Sequence, residues 1–106
     1  MFAKFLLGSI KIEDSVRHEL GRTPLDLISR HAVCEFGIAT PRRYKQNMLA
    51  LAEAGEIQSE YLADPLNPES AHVVVTTEAG WNSTRVTLKK QLRTRRSKKG
   101  SDDFPI

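Results

Sequence analysis

Three histidines and one cysteine are the residues through which this chain could bind a metal or form a covalent intermediate, and their spacing argues against both. His31 and Cys34 lie three apart on a predicted helix and can share a face. A zinc site wants three or four ligands, and neither His18 nor His72 has a sequence-local reason to join them. A Cys-His nucleophile pair needs a third group to orient the imidazole, and none stands nearby. Cys34, close to Phe36, reads as a small buried hydrophobe. No glycine-rich phosphate loop, paired-carboxylate motif or dinucleotide fingerprint occurs. The expectation is a protein that is not an enzyme and uses no cofactor or metal.

The cations offer a different chemistry. The net charge of +3 conceals an asymmetry: residues 1–88 carry 9 Lys+Arg against 11 Asp+Glu, whereas residues 89–106 carry 7 against 2. A slightly acidic body cannot attract a polyanion through its average field, so a nucleic-acid surface on it must be a local patch. One such patch lies in "GIATPRRYKQNMLALAEAGEIQ", residues 37–58. Arginine can donate two hydrogen bonds to the O6 and N7 edge of guanine, and glutamine can address adenine in the same bidentate way. Arg42, Arg43 and Gln46 are therefore the candidates for reading bases. Thr40, Lys45 and Asn47 complete the expected DNA contacts, with Lys45 and Asn47 on phosphates. The terminal run "KKQLRTRRSKK" supplies Lys89, Lys90, Arg93, Arg95, Arg96, Lys98 and Lys99, which suit a phosphate-binding arm acting by counterion release. Such a run also reads as a solvated, disordered tail.

These residues need elements to hold them. In "SIKIEDSVRHEL", Ile12, Val16 and Leu20 recur every four residues and predict a helix closed by Gly21. Thr23 and Pro24 suit the start of a second helix, with Leu25, Ile28, Ala32 and Phe36 as its apolar stripe and Gly37 after it. Thr40 and Pro41 repeat that start signal for a third helix, residues 40–54, whose predicted core seam is Tyr44, Met48, Leu51 and Gly55. Beyond it "EIQSEYLAD" and "SAHVVVTT" predict two strands, separated by the loop "DPLNPE". From Glu78 into the nineties, Trp81, Leu88 and Leu92 recur at helical spacing and predict a last helix, although Thr84, Val86 and Thr87 lower helix propensity there. That stripe is the expected dimer surface. The order is that of a winged helix, with a helix-turn-helix at its centre.

Residues 36–57, "FGIATPRRYKQNMLALAEAGEI", resemble the MarR-type winged-helix pattern, in which a recognition helix closes on leucine, three residues, glycine, any residue, isoleucine. Leu51, Gly55 and Ile57 occupy those closing positions. "VVVTTEAGW", residues 73–81, is similar to the stretch where the wing hands over to a following helix. The resemblance spans roughly residues 23–92 and implies the fold; Arg42, Arg43 and Gln46 on helix 40–54 then lead to the expectation of a small repressor or regulator that reads the major groove and acts by occupancy. The turn "FGIAT" is one residue longer than the usual pattern, and the wing loop carries Asp64 and Glu69 without an arginine.

A chain of 106 residues, 40% hydrophobic, has material for one core. The expectation is an α+β fold, mainly α: a winged-helix domain over residues 1–92 with three helices, a β-hairpin wing and a C-terminal helix, then a disordered tail over residues 93–106. No apolar run reaches the roughly 18 residues that a membrane span requires. With a single cysteine, a reducing, cytoplasmic and nucleoid-associated setting is expected. The expected partners are double-stranded DNA and a second copy of the chain. The tip "SDDFPI" is a possible protein-binding element. The alternatives are a protein-interaction module built on the same scaffold, or a replication or plasmid-maintenance accessory factor.

Overall fold

In the computed structural model, which describes residues 3–89, seven elements follow one another: β1 (Ser9–Ile12), α1 (Asp14–Leu20), α2 (Leu25–Ala32), α3 (Pro41–Glu53), β2 (Ile57–Leu62), β3 (His72–Thr77) and β4 (Ser83–Lys89). The strands form one mixed sheet in the order β1-β4-β3-β2, with β1 parallel to β4 and the other pairs antiparallel. The architecture is α+β with three helices and a four-stranded sheet, which corrects the expected mainly-α winged helix with a C-terminal helix.

The largest correction lies at residues 78–89. Gly80 (φ 90°) and Trp81 (φ 57°) make a tight turn, and the chain then runs as β4 between β3 and β1. Two neighbours satisfy the backbone groups of β4 on both sides, and the β-branched Thr84, Val86 and Thr87 fit a pleated surface better than a helix. Trp81 and Leu88 therefore share no helical stripe: Trp81 packs on the Phe5–Phe36 cluster and Leu88 on the main core. The dimer seam expected from Trp81, Leu88 and Leu92 has no helix to carry it within the described residues, and Leu92 lies outside them.

The first predicted helix is likewise divided. Residues 9–12 add a strand to β4, with Glu13 N–H donating to the Val86 carbonyl at 3.0 Å, and only then does α1 begin. In α2 the start shifts by one residue, with Pro24 at the cap, and the buried positions are Leu27, Ile28, His31 and Ala32 while Leu25 is exposed.

The core follows from strand alternation. One sheet face presents Tyr61, Val73 and Leu88 in a row, then Ser59, Val75, Val86 and Ile12, then Ile57, Thr77, Thr84 and Ile10. Val16 of α1 and Leu27 and Ile28 of α2 join the cluster that Tyr61, Val73, Val75 and Val86 form there. A second cluster, Phe5, Phe36, Ala50 and Ile57, fastens the N-terminal segment and α3 to the sheet's end.

The middle of the third row, Thr77 and Thr84, is polar, and His31 plugs it. Its Nδ1 is 2.6 Å from Ser59 Oγ and its Nε2 is 2.9 Å from Thr77 Oγ1, which is 2.7 Å from Thr84 Oγ1; Thr84 Oγ1 in turn donates to the Leu7 carbonyl at 2.7 Å. A carbonyl only accepts, so the direction of the whole chain is fixed from that end. Thr84 gives its proton to Leu7, Thr77 donates to Thr84, Nε2–H donates to Thr77, and Nδ1 accepts from Ser59. The network ties the N-terminal segment, α2, β2, β3 and β4 together with a neutral imidazole of one tautomer.

Candidate nucleic-acid interface

Helix α3 is held at its start, middle and end. Thr40 caps it, accepting from Arg43 N–H at 3.0 Å, and Pro41 occupies the first turn, as the sequence pattern requires. Midway, Asn47 is fully buried and acts as a piece of strand: its Nδ2 donates to the Gln58 carbonyl at 2.8 Å and its Oδ1 accepts from Gln58 N–H at 3.1 Å. At the C-terminal end Ala54 adopts the left-handed conformation (φ 54°), its carbonyl accepts from Gly80 N–H at 2.7 Å, and the Gly55 carbonyl accepts from Trp81 Nε1–H at 2.9 Å. Next to Gln58, the outer edge of β2 is covered by the segment leading into α3. Glu60 N–H donates to the Phe36 carbonyl and Ile38 N–H to the Glu60 carbonyl, at 3.1 and 2.7 Å. Gly37, at φ 71°, has no side chain to collide with the Glu60 carbonyl there.

This anchoring sets which way the helix faces. Asn47 and Ala50 are buried, so the predicted inward seam of Tyr44, Met48 and Leu51 is rotated: Tyr44 and Met48 are exposed and only Leu51 remains partly covered. Asn47 consequently leaves the set of surface contacts, because its amide is spent on Gln58. Arg42, Lys45 and Gln46 stand exposed on the outer side. Arg43 is turned partly inward and its guanidinium lies 3.9 Å from Glu56. Thr40 is engaged as the cap.

Ion pairing separates the cations further. Among the described residues Arg17, Arg22, Arg30, Arg43 and Arg85 each face a carboxylate, as does Lys89 with Glu60 at 3.4 Å. Arg42 and Lys45 face none. Lys90, Arg93, Arg95, Arg96, Lys98 and Lys99 lie outside the described residues.

The nucleophile-like pair that the structure does assemble is not Cys34 with His31 but Ser59 with His31. Both are buried, and burial holds the His31 imidazole down to about 4, so it is a poor base at neutral pH. Burial pushes the Cys34 thiol up, away from the reactive thiolate. Among the described residues no group of three or more His, Cys, Asp or Glu side chains could hold a metal ion. No helix there is long and apolar enough to cross a membrane.

Sequence reasoning missed two functional placements. Asn47 in its anchoring role had one available signal, an amide on the helix line that also carries the small residues Ala50 and Ala54. His31 had another, in the small hydroxyl residues alternating through the strands opposite it. No family model, curated protein or solved structure matches this chain. The likeness to the MarR-type pattern thus stands on the quoted motif alone.

Proposed function

We propose that this protein binds double-stranded DNA through the N-terminal half of α3 and acts by occupancy, as a small sequence-specific regulator of the repressor kind. The observation that carries the reading is the state of Arg42. It is the one arginine among the described residues without a carboxylate partner, and it shares the exposed side of a firmly anchored helix with Lys45 and Gln46. A major-groove helix makes its base contacts from its first turns, where these residues lie. Arg42 and Gln46 are the base-reading groups in this scheme, Lys45 and Arg43 the phosphate-facing ones, and Lys89 with the basic residues after it supplies sequence-independent affinity. On this reading the protein would work in the cytoplasm, at the nucleoid.

A second reading, a protein-interaction module, is favoured by a different observation. Tyr44, Met48 and Leu49 are exposed on the same helix, and the body of residues 1–88 is net acidic.

Selection of bound duplexes from a random library, followed by titration of the preferred site, tests the first reading. Arg42→Ala and Gln46→Ala each cost about 1 to 3 kcal/mol on the preferred site and little on random duplex. Affinity falls steeply with salt, by roughly 0.9 log unit per log unit for each phosphate contact. Absence of binding at low salt, or equal losses on both duplexes, rejects it.

A further inference from the structure

The outer side of α3 carries one stripe that neither the core nor an ion pair uses. Arg42, Lys45, Leu49 and Glu53 succeed one another at spacings of three, four and four, so they lie along one line of the helix surface. Leu49, at its centre, is 60% exposed, and Met48 beside it 42% exposed. The stripe is basic at its N-terminal end, apolar in the middle and acidic at its C-terminal end. Arg42, Lys45 and Glu53 all lack an ion-pair partner among the described residues, whereas Arg43, on the inner flank, has Glu56.

Such an arrangement is self-complementary under one operation. A two-fold axis through Leu49, perpendicular to the helix, sets α3 antiparallel to α3 of a second copy. Lys45 and Glu53 are both four residues from Leu49, about 6 Å along the axis on either side, so Lys45 then faces Glu53 of the other copy and the reverse. Leu49 meets Leu49, and Ala52 lets the two backbones approach. A parallel pairing would instead put like charges together. The antiparallel helix dipoles favour the same orientation.

We infer that α3 is the homodimer surface of this protein, and that a second copy and duplex DNA compete for it. The dimer half of the inference stands on the stripe; the competition rests on the DNA reading above. In the dimer Lys45 faces Glu53 of the other copy and the second helix lies along the line that Arg42 shares, which withdraws both cations from phosphate and base, so self-association at high protein concentration masks the DNA-binding side.

A charge-swap cycle on the full chain tests this by sedimentation equilibrium without nucleic acid. All the swapped side chains are exposed, which keeps folding out of the comparison; thermal melts confirm it. Lys45→Glu and Glu53→Lys each place like charges opposite one another twice, weakening self-association by roughly ten- to thirtyfold. The double variant regains the wild-type constant. So does an equimolar mixture of the two single variants, which forms the heterodimer. A monomeric wild type at about 1 mM, a range corresponding to only the weakest specific contact, overturns the dimer. Single variants that associate like the wild type overturn it too, and locate any dimer elsewhere, for example on the outer edge of β1. Loss without recovery in the double variant and the mixture also overturns it.

Duplex titration then judges the competition separately. Glu53→Lys, which frees the monomer, binds duplex more tightly than the wild type at high protein concentration. Saturating duplex that leaves the wild-type dimer constant unchanged overturns the competition. If no variant binds duplex at all, the DNA reading fails while the charge-swap result still decides the dimer.

Discussion

Acidification singles out His31. Its imidazole is buried and neutral, held at about 4 by burial, against an ordinary value of 6.5 in the unfolded chain. Above pH 6.5 both states carry a neutral ring and the group contributes no pH dependence. Between 6.5 and 4 the unfolded chain takes up a proton that the folded protein refuses, so stability falls as pH falls. Each pKa unit is worth 1.36 kcal/mol, and the whole window amounts to about 3 kcal/mol. That is a large fraction of the margin of a domain this small. The cost is a burial cost: protonated Nδ1 would have to donate to Ser59, whose hydroxyl can rotate to accept, but the cation would still sit away from water. Urea denaturation at pH 7.5, 5.5 and 4 measures the loss, and NMR of the ring protons reports where His31 titrates. His31→Gln keeps one acceptor and one donor in the site without the titration, so the His31 share of the slope disappears in that variant even if its stability at pH 7.5 is lower. A folded-state His31 that titrates near 6.5, or an unchanged slope in His31→Gln, refutes the reasoning.

Two further outcomes follow from the same geometry. Asn47→Leu leaves the Gln58 N–H and carbonyl without their partner at a covered sheet edge and destabilises the fold by about 2 to 4 kcal/mol in urea denaturation; Asn47→Asp restores only the acceptor and sets a carboxylate against the Gln58 carbonyl, so it recovers little at neutral pH. Removal of residues 93–106 takes away Arg93, Arg95, Arg96, Lys98 and Lys99, and lowers affinity for preferred and random duplexes by a similar factor, with a shallower salt dependence and unchanged base preference; duplex titration that shows equal affinity with and without those residues defeats the arm proposal.

What the sequence disclosed and what it withheld divide along a physical line. The start of α3 was legible because Thr40 and Pro41 act locally, through a cap and a fixed φ. So were β2, β3 and the "DPLNPE" loop, where β-branched runs and prolines carry their own preference. The orientation of α3 was not, since hydrophobicity alone turns Tyr44 and Met48 inward, and only the pairing of Asn47 with the Gln58 backbone turns them out. Residues 78–89 failed for the same reason at larger scale. Trp81, Leu88 and Leu92 match a helical period, but β4 lies between its hairpin neighbour β3 and β1 from the start of the sequence, and the hydrogen bonds these two strands offer outweigh that period. Parallel pairing of Ser9–Ile12 with β4 is likewise a contact across the whole chain, with no local signature. For His31 the sequence offered only Cys34 as a neighbour, which supports no metal or nucleophile site; its true partners, Ser59 and Thr77, are 28 and 46 residues away.

The anchoring of α3 also decides how its variants are to be understood. The bonds at Thr40, Asn47, Ala54 and Gly55 are all made by the inner side, the caps or the backbone, and none uses the side chain of Arg42, Lys45, Gln46, Leu49 or Glu53. Substitution at those five positions therefore changes what the helix recognises while leaving its position intact, and surface changes of that kind usually stay within about 0.5 kcal/mol of stability. Substitution at Asn47 moves or loosens the helix and degrades every function that α3 supports at once. On the proposed readings this helix would carry two demands on one face, cations for phosphate and a self-complementary stripe for its own copy, and it would not satisfy both together. Its response to protein concentration would then depend on Lys45, Leu49 and Glu53 and its response to DNA on Arg42, Lys45 and Gln46, with Lys45 common to both.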